Sequence, residues 1–326
     1  MAMTTLFDLL TLQRNDIMTG LVEDVTTYAP EFSRIPVVTR PGTYYEIVRR
    51  IALGTAAFRQ INNGTSAIKS AYKKEQKEMF YIDVPVNMDE ALLKADDKST
   101  GDLWNHESQG ALQAALILLG AQTWYGTSND ANGFAGIRSQ LAGAIGVNSL
   151  AITTGANTTS AYLLWVNGPW GVRFDVGQEG QISLPPPIRQ QIAAPSPGSG
   201  NLFAWVSNLS CWVGLNVISA NTVNGGGSTW AVAGIDTTIV DNTAYSTALR
   251  DSIAAKLVSN IPLVRRQGLC WFVNRTAYYT LQATRTSINY QVAGASGQPA
   301  WSPPPNLLEG YPLVVTDSIT NTETNA

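Results

Sequence analysis

TYYEIVRRIALGTAAFRQINNGTSAIKSAYKKEQKEMFYIDVPVNM, residues 43–88, is the stretch on which the fold turns. Tyr45, Ile47 and Ile51 stand two or four apart, on one face of an extended segment, with Glu46, Arg49 and Arg50 among them. Asn62-Asn63-Gly64 then marks a turn, because Asn and Gly tolerate the positive φ that tight turns demand. Phe80, Ile82, Val84, Val86 and Met88 alternate strictly with Tyr81, Asp83, Pro85 and Asn87, which predicts a return strand near 80–88. Pro85 removes a ladder donor and places that strand at an edge or at the end of pairing. The expectation is a long β-loop with a polar, irregular far end.

Charge gathers in the same stretch. Six of the seven lysines, Lys69, Lys73, Lys74, Lys77, Lys94 and Lys98, fall within 30 residues, interleaved with Glu75, Glu78, Asp83, Asp89, Glu90, Asp96 and Asp97. Such a run is either a solvated face or a projecting loop whose two signs fix register against a partner. The candidates for contact between subunits are therefore Arg59, Asn63, Lys69, Lys73, Lys74, Glu75, Lys77 and Glu78.

Outward from this loop, residues 2–35 alternate apolar clusters (Leu6, Leu9, Leu10; Ile17, Leu21, Val22, Val25) with polar residues and stop at Ala29-Pro30, as short amphipathic helices of an arm would. After the loop, Ser99 and Asp102 open a helix predicted to run to about Tyr125 before Gly126. Trp104, Ala111, Ala115 and Leu119, with Leu112 and Leu116 beside them, form its inward stripe. Short strands are predicted over 161–166, 171–176, 201–207 and 212–218, a helix over 243–258 with Leu249, Ile253, Ala254 and Leu257 inward, a strand over 269–273 and a short helix over 275–284. Residues from Thr320 on read as a polar tail.

Charged residues make up 14% of the 326, against roughly 25% in an ordinary soluble chain, and the sequence carries nine Trp. An uncharged, aromatic-rich surface suits a protein pressed against copies of itself, and also an extracellular β-rich module. A net charge of −3 leaves no basic footprint for phosphate backbones. No segment approaches the roughly 20 apolar residues of a membrane span, and nothing resembles a signal peptide, so the expected compartment is a reducing cytosol.

Chemistry finds few parts. Triads of the Ser-His-Asp or Cys-His kind need a positioned imidazole, and the single histidine, His106, lies within the long predicted helix. One His and the distant Cys211 and Cys270 make no zinc set, and neither GxxxxGK[ST] nor GxGxxG occurs. No catalytic, metal or cofactor residue is assigned, and no enzyme is expected.

The order of segments, together with local motifs, resembles the major capsid proteins of tailed bacteriophages. Phe58-Arg59 with Ile61-Asn62-Asn63-Gly64 is similar to the family's FR-x-(V/L)N-x-G in its extension loop. Trp165 through Gly171 (WVNGPWG) and Trp212-Val213-Gly214-Leu215 are similar to two of its strand motifs. Phe272-Val273-Asn274-Arg275-Thr276 resembles its NR-T helix start, and Leu308 to Leu313 with Thr316 to Ile319 its terminal strand. Asn321-Thr322-Glu323 looks like the tail of a podophage-like branch.

The resemblance implies an α+β fold of Hong Kong-97 type. It assigns residues 1–36 to an N-terminal arm, 37–88 to the extension loop, 89–150 to a peripheral domain with a spine helix, 151–232 to β-rich peripheral strands with an insertion, and 233–326 to an axial domain. It also implies a structural function: a homo-oligomeric icosahedral shell of pentamers and hexamers around double-stranded DNA, without sequence-specific binding. The further implied partners are a separate scaffolding protein, a portal and decoration proteins, and the location is the virion, assembled in the bacterial cytoplasm. A same-fold alternative is an encapsulin-like compartment. From another class, Trp165, Trp170, Trp205 and Trp212 beside predicted strands leave open a carbohydrate-binding adhesin.

Overall fold

The computed structural model describes residues 29–94, 100–141, 148–152, 157–167, 171–177, 182–194, 200–218, 227–237, 247–293 and 306–323. Most of the expected arm, residues 1–28, lies outside them. The described part of the arm is anchored: α1 (Glu31–Arg34) and β1 (Val37–Thr39) join the body, with Ile35 and Glu31 buried.

Two β-sheets and a separate two-stranded hairpin organise the described residues. The hairpin pairs β2 (Tyr44–Ala52) with β3 (Ala71–Glu78), antiparallel, with a bulge between Arg50 and Ala52. The predicted return strand is thus corrected. Residues 80–89 do form a strand, β4 (Phe80–Asp89), but it pairs with β9 (Asn201–Asn216) in the body. Its alternation signals a half-buried sheet position, whereas the true return strand, AYKKEQKE, shows no apolar face because it leaves the body.

The five-stranded sheet runs β1, β7 (Arg173–Val176), β9, β4, with β8 (Ile188–Ala193) also on β9. Pro85 therefore occupies an edge strand, as its missing N–H demands. The predicted strands 201–207 and 212–218 are one continuous strand of 16 residues.

The six-stranded sheet has the order β12 (Leu307–Leu308), β13 (Tyr311–Val315), β11 (Leu269–Val273), β6 (Thr158–Trp165), β10 (Thr229–Asp236), β5 (Ser149–Ala151). A boundary at 232/233 would fall inside β10, and strands from both sides of it share this sheet. Pairings such as Leu163 with both Trp230 and Trp271 are long-range, and no local composition shift reports them.

Side-chain alternation gives this sheet two buried faces. Tyr162, Leu164, Cys270 and Phe272 point into a core shared with Phe174, Val213 and Leu215 of the five-stranded sheet. Ala161, Leu163, Leu269, Trp271 and Val273 face the other way, against α5 (Asp251–Ser259) and the first turns of α6 (Arg275–Ala293). That is why β11 is buried at every position, and each large side chain buried there contributes about 2 kcal/mol. The helix predicted from 243 begins at Asp251: Thr247 to Arg250 are described and not helical, and Leu249 is nonetheless buried. The helix after β11 runs on to Ala293.

Between α2 (Glu90–Lys94) and a 3₁₀ turn at Gly126 lies α3 (Thr100–Tyr125), 26 residues long, as the sequence predicts, and the short α4 (Ile137–Leu141) follows. Gly126 ends it with φ 56°, and a Cβ there would meet the Gly136 backbone N at 2.0 Å, so only glycine fits. Leu103, Ala115, Leu119 and Trp124 are buried, but Leu112, expected on the inward stripe, is 40% exposed. Leu103 packs with Met88, Leu92 and Leu93, while Leu119 and Trp124 reach the core between the sheets. The helix therefore spans the body from β4 to the six-stranded sheet, the geometry of a spine.

The supposed polar tail is also corrected. Glu323 is 3% exposed; its backbone N–H donates to Thr158 O at 2.8 Å, and its own carbonyl accepts from the Thr158 hydroxyl at 2.6 Å. Polarity here serves buried hydroxyls of β6, so it does not signal solvation.

Candidate functional site

The hairpin stem has few apolar contacts to hold it, and charge takes their place. Glu75 on β3 is the hub, with Arg49 at 3.1 Å, Lys73 at 3.6 Å and Lys77 at 3.9 Å. Lys74 meets Glu46 on the opposite strand at 2.5 Å. The cross-strand pairs Val48↔Lys74 and Ile47↔Glu75 put these charges within reach of one another, so they fix the register that hydrophobic patterning leaves open. Partial burial lowers the Lys77 pKa, an effect that the Glu75 carboxylate partly offsets.

The root is held more tightly than the stem. Met79 is buried and its N–H donates to Thr43 O at 2.8 Å, closing the hairpin's base. Beside it the fully buried carboxylate of Asp175 takes Arg40 and Arg173, each at 3.3 Å. Tyr45 lies against this cluster; burial, followed by the neighbouring Asp175, raises its phenol far above the usual tyrosine range. Arg40 also stacks 5.4 Å from the Tyr45 ring centroid. A buried charge that is paired from two sides makes a rigid joint.

The tip, residues 53–70, is the opposite. Asn62 takes φ 67° and the Asn63 N–H donates to Gln60 O at 3.1 Å, confirming the predicted turn. Around it Leu53, Phe58, Ile61 and Ile68 are exposed, Phe58 completely so at 107%. Among the sequence-derived candidates, Arg59, Asn63 and Lys69 sit on this exposed tip, Lys73, Lys74, Glu75 and Lys77 are ion-paired within the stem, and Glu78 is exposed at its root. Of the exposed apolar residues, Phe58 and Ile61 belong to the loop motif read from the sequence, but none of the four was among the contact candidates.

Other chemistry is sparse. Among the described residues there is no group of three His, Cys, Asp or Glu placed to hold a metal, and no helix is long and apolar enough to cross a membrane. His106 is exposed on α3, and both cysteines are buried and unlinked. Trp205 packs against the Met88 cluster, Trp212 tilts against Tyr81 at 5.2 Å, and the Trp165 indole donates to Gln267 O at 2.9 Å, so these three have structural employment. Trp170 lies outside the described residues.

No protein-family model matches the chain, and no curated protein matches it. Solved structures do. A chain in the structure of bacteriophage Epsilon15 superimposes with a TM-score of 0.72 at 14% identity, covering 99% of this chain and 97% of that one. The capsid of bacteriophage JBD30 gives 0.45 at 12% identity, over 97% and 99%. Mycobacterium phage Adephagia gives 0.45 at 12% identity, over 71% and 97%. The Epsilon15 likeness, extending over nearly the full length of both chains, is one of fold: this chain has a mixed α+β fold that matches phage capsid folds.

Proposed function

We propose that this chain is the major capsid protein of a tailed phage, a non-enzymatic subunit that self-assembles into the icosahedral shell enclosing double-stranded DNA. The observation that carries this is the hairpin: a stem paired only with itself among the described strands, rooted in the body, with a tip whose apolar side chains face solvent in the single chain. Exposed Leu, Phe and Ile at the end of a projection are stabilised only when another molecule covers them, and in this fold the available cover is a neighbouring copy. Copies would join as pentamers and hexamers through the six-stranded sheet's domain, with residues 44–78 as the extension loop and residues 1–36 as an arm. Apolar burial of about 25 cal/mol per Å² over several interfaces of standard size, less the ordering losses, holds such a shell without covalent links.

In this reading the chain is a virion component assembled in the bacterial cytoplasm beside a separate scaffolding protein and a portal, with or without decoration proteins, and it belongs to a podophage-like branch. The low charge leaves DNA enclosed without sequence-specific contact. The test is negative-stain microscopy and sedimentation of the chain expressed alone and with the product of its upstream neighbouring gene. Closed shells of uniform diameter are expected. A chain that stays monomeric in both cases, at any concentration, overturns the proposal.

A further inference from the structure

A concavity of about 270 Å³ opens between α3, the loop 130–134 and the start of β4. Leu118, Leu119 and Phe134 supply apolar lining, and Leu118 is 38% exposed. Its charged lining residues are Asp83 and Asp130, with no Lys or Arg among them. The hairpin tip is the converse. Residues 53–70 contain Arg59 and Lys69 and no acid, and Phe58, beside Arg59, touches nothing of its own chain. A cavity of roughly 150 Å³ already accommodates a benzene ring, so this one has room for a phenyl group and part of a guanidinium stem.

We propose that Phe58 of one copy enters this concavity on a neighbouring copy, with Arg59 meeting Asp83 and Asp130. The assignment rests on the shell reading above and names the receptor for the loop within it. Burial of the ring supplies affinity, and the opposite charges select the site and suppress wrong registers. Because Phe58 and Arg59 are exposed in the single chain, changing them leaves the subunit's own core untouched.

The experiment is disulfide trapping in the full chain. Cys211 and Cys270 are buried, so introduced thiols dominate the reaction. Q60C combined with N132C, on the exposed loop lining the concavity, leaves Phe58 and Arg59 in place and is expected to give a covalent ladder beyond dimer on a non-reducing gel after mild oxidation. Either single variant stops at dimer. In parallel, R59E loses assembled particles and R59E/D130R regains them, with circular dichroism of each variant unchanged. Particles that form normally without a ladder, or a charge reversal that rescues nothing, overturn this assignment while leaving the shell reading standing. A chain that never assembles overturns both.

Discussion

The Tyr125 hydroxyl donates to Glu323 Oε1 at 2.7 Å, tying the last residue of α3 to a residue 198 positions further along the chain. The same carboxylate accepts from the hydroxyls of Tyr162, at 3.2 Å, and Ser160 on β6. One position earlier, the Trp124 indole donates to Glu31 Oε1 at 2.8 Å, and the Thr316 hydroxyl donates to that same oxygen. Two successive residues at the end of α3 thus each hold a buried glutamate, one from the N-terminal side of the fold and one from the C-terminal side. Helix, six-stranded sheet and both flanking segments are locked into one body, from which the hairpin projects.

Glu323→Ala removes the shared acceptor of three hydroxyls and leaves them buried without it. A loss of about 3 kcal/mol is expected, and about 1–2 kcal/mol for Tyr125→Phe, which removes one donor to Glu323 and the acceptor of the Thr320 N–H at 2.8 Å. Urea unfolding of the full chain checks both. Equal midpoints for Glu323→Ala and the parent would show that the terminal segment is not docked.

Alkaline pH should dissolve the same joint. Burial, and then the Glu323 carboxylate, push the Tyr125 and Tyr162 phenols well above their ordinary range, and burial with Asp175 does so for Tyr45. Unfolded tyrosines lose their protons near pH 10, whereas these three retain theirs while folded. The folded state then binds more protons than the unfolded one, so stability is intact below about pH 10 and falls as pH rises beyond it. Absorbance titration should show some of the 12 tyrosines ionising only together with loss of tertiary structure. Reversible ionisation of all of them in the intact fold contradicts this.

The elements most legible in the sequence were those with an apolar face. The long helix and the 269–273 strand have such a face, and their limits emerged within a residue or so. The return strand of the hairpin escaped because the inward positions of Ala71–Glu78 are the half-buried, ion-paired Glu75 and Lys77: cross-strand charge sets its pairing, and hydrophobic periodicity has no reason to appear. The more regular 80–88 pattern was mistaken for it. Glu31 and Glu323 were invisible as core residues, since a buried carboxylate is recognised by partners such as Trp124 and Tyr125 that only the fold brings near. The charged cluster of the stem was visible in the composition, but that Phe58 and its apolar neighbours face solvent depends on where the fold places the tip.

Glu75→Gln probes the stem. With its carboxylate gone, Arg49, Lys73 and Lys77 face one another across a narrow ladder without the anion that holds them. The mutation should cost about 1–2 kcal/mol of local stability, felt in the hairpin and not in the core. Limited trypsin digestion of unassembled subunit is expected to cut the stem about ten times faster, with an unchanged thermal midpoint of the body. Cleavage at the parental rate would mean that the ion pairs do not set the hairpin's order.

Gly214→Val addresses how the hairpin is aimed. A Cβ at position 214 on β9 would lie 2.8 Å from Glu78 O and 3.1 Å from Met79 Cγ, the two residues at which the stem turns into the body. The backbone carbonyl cannot yield as a flexible side chain would, so the root must shift, at about 1–3 kcal/mol of overpacking. A shift of a few tenths of an ångström at the root grows along the strands to the tip, the proposed contact with a neighbour. The body should therefore stay folded, with near-native circular dichroism and a modestly lowered melting temperature, while assembled particles disappear from the sedimentation profile. If the valine variant builds shells as efficiently as the parent, the direction set at Met79 does not govern assembly.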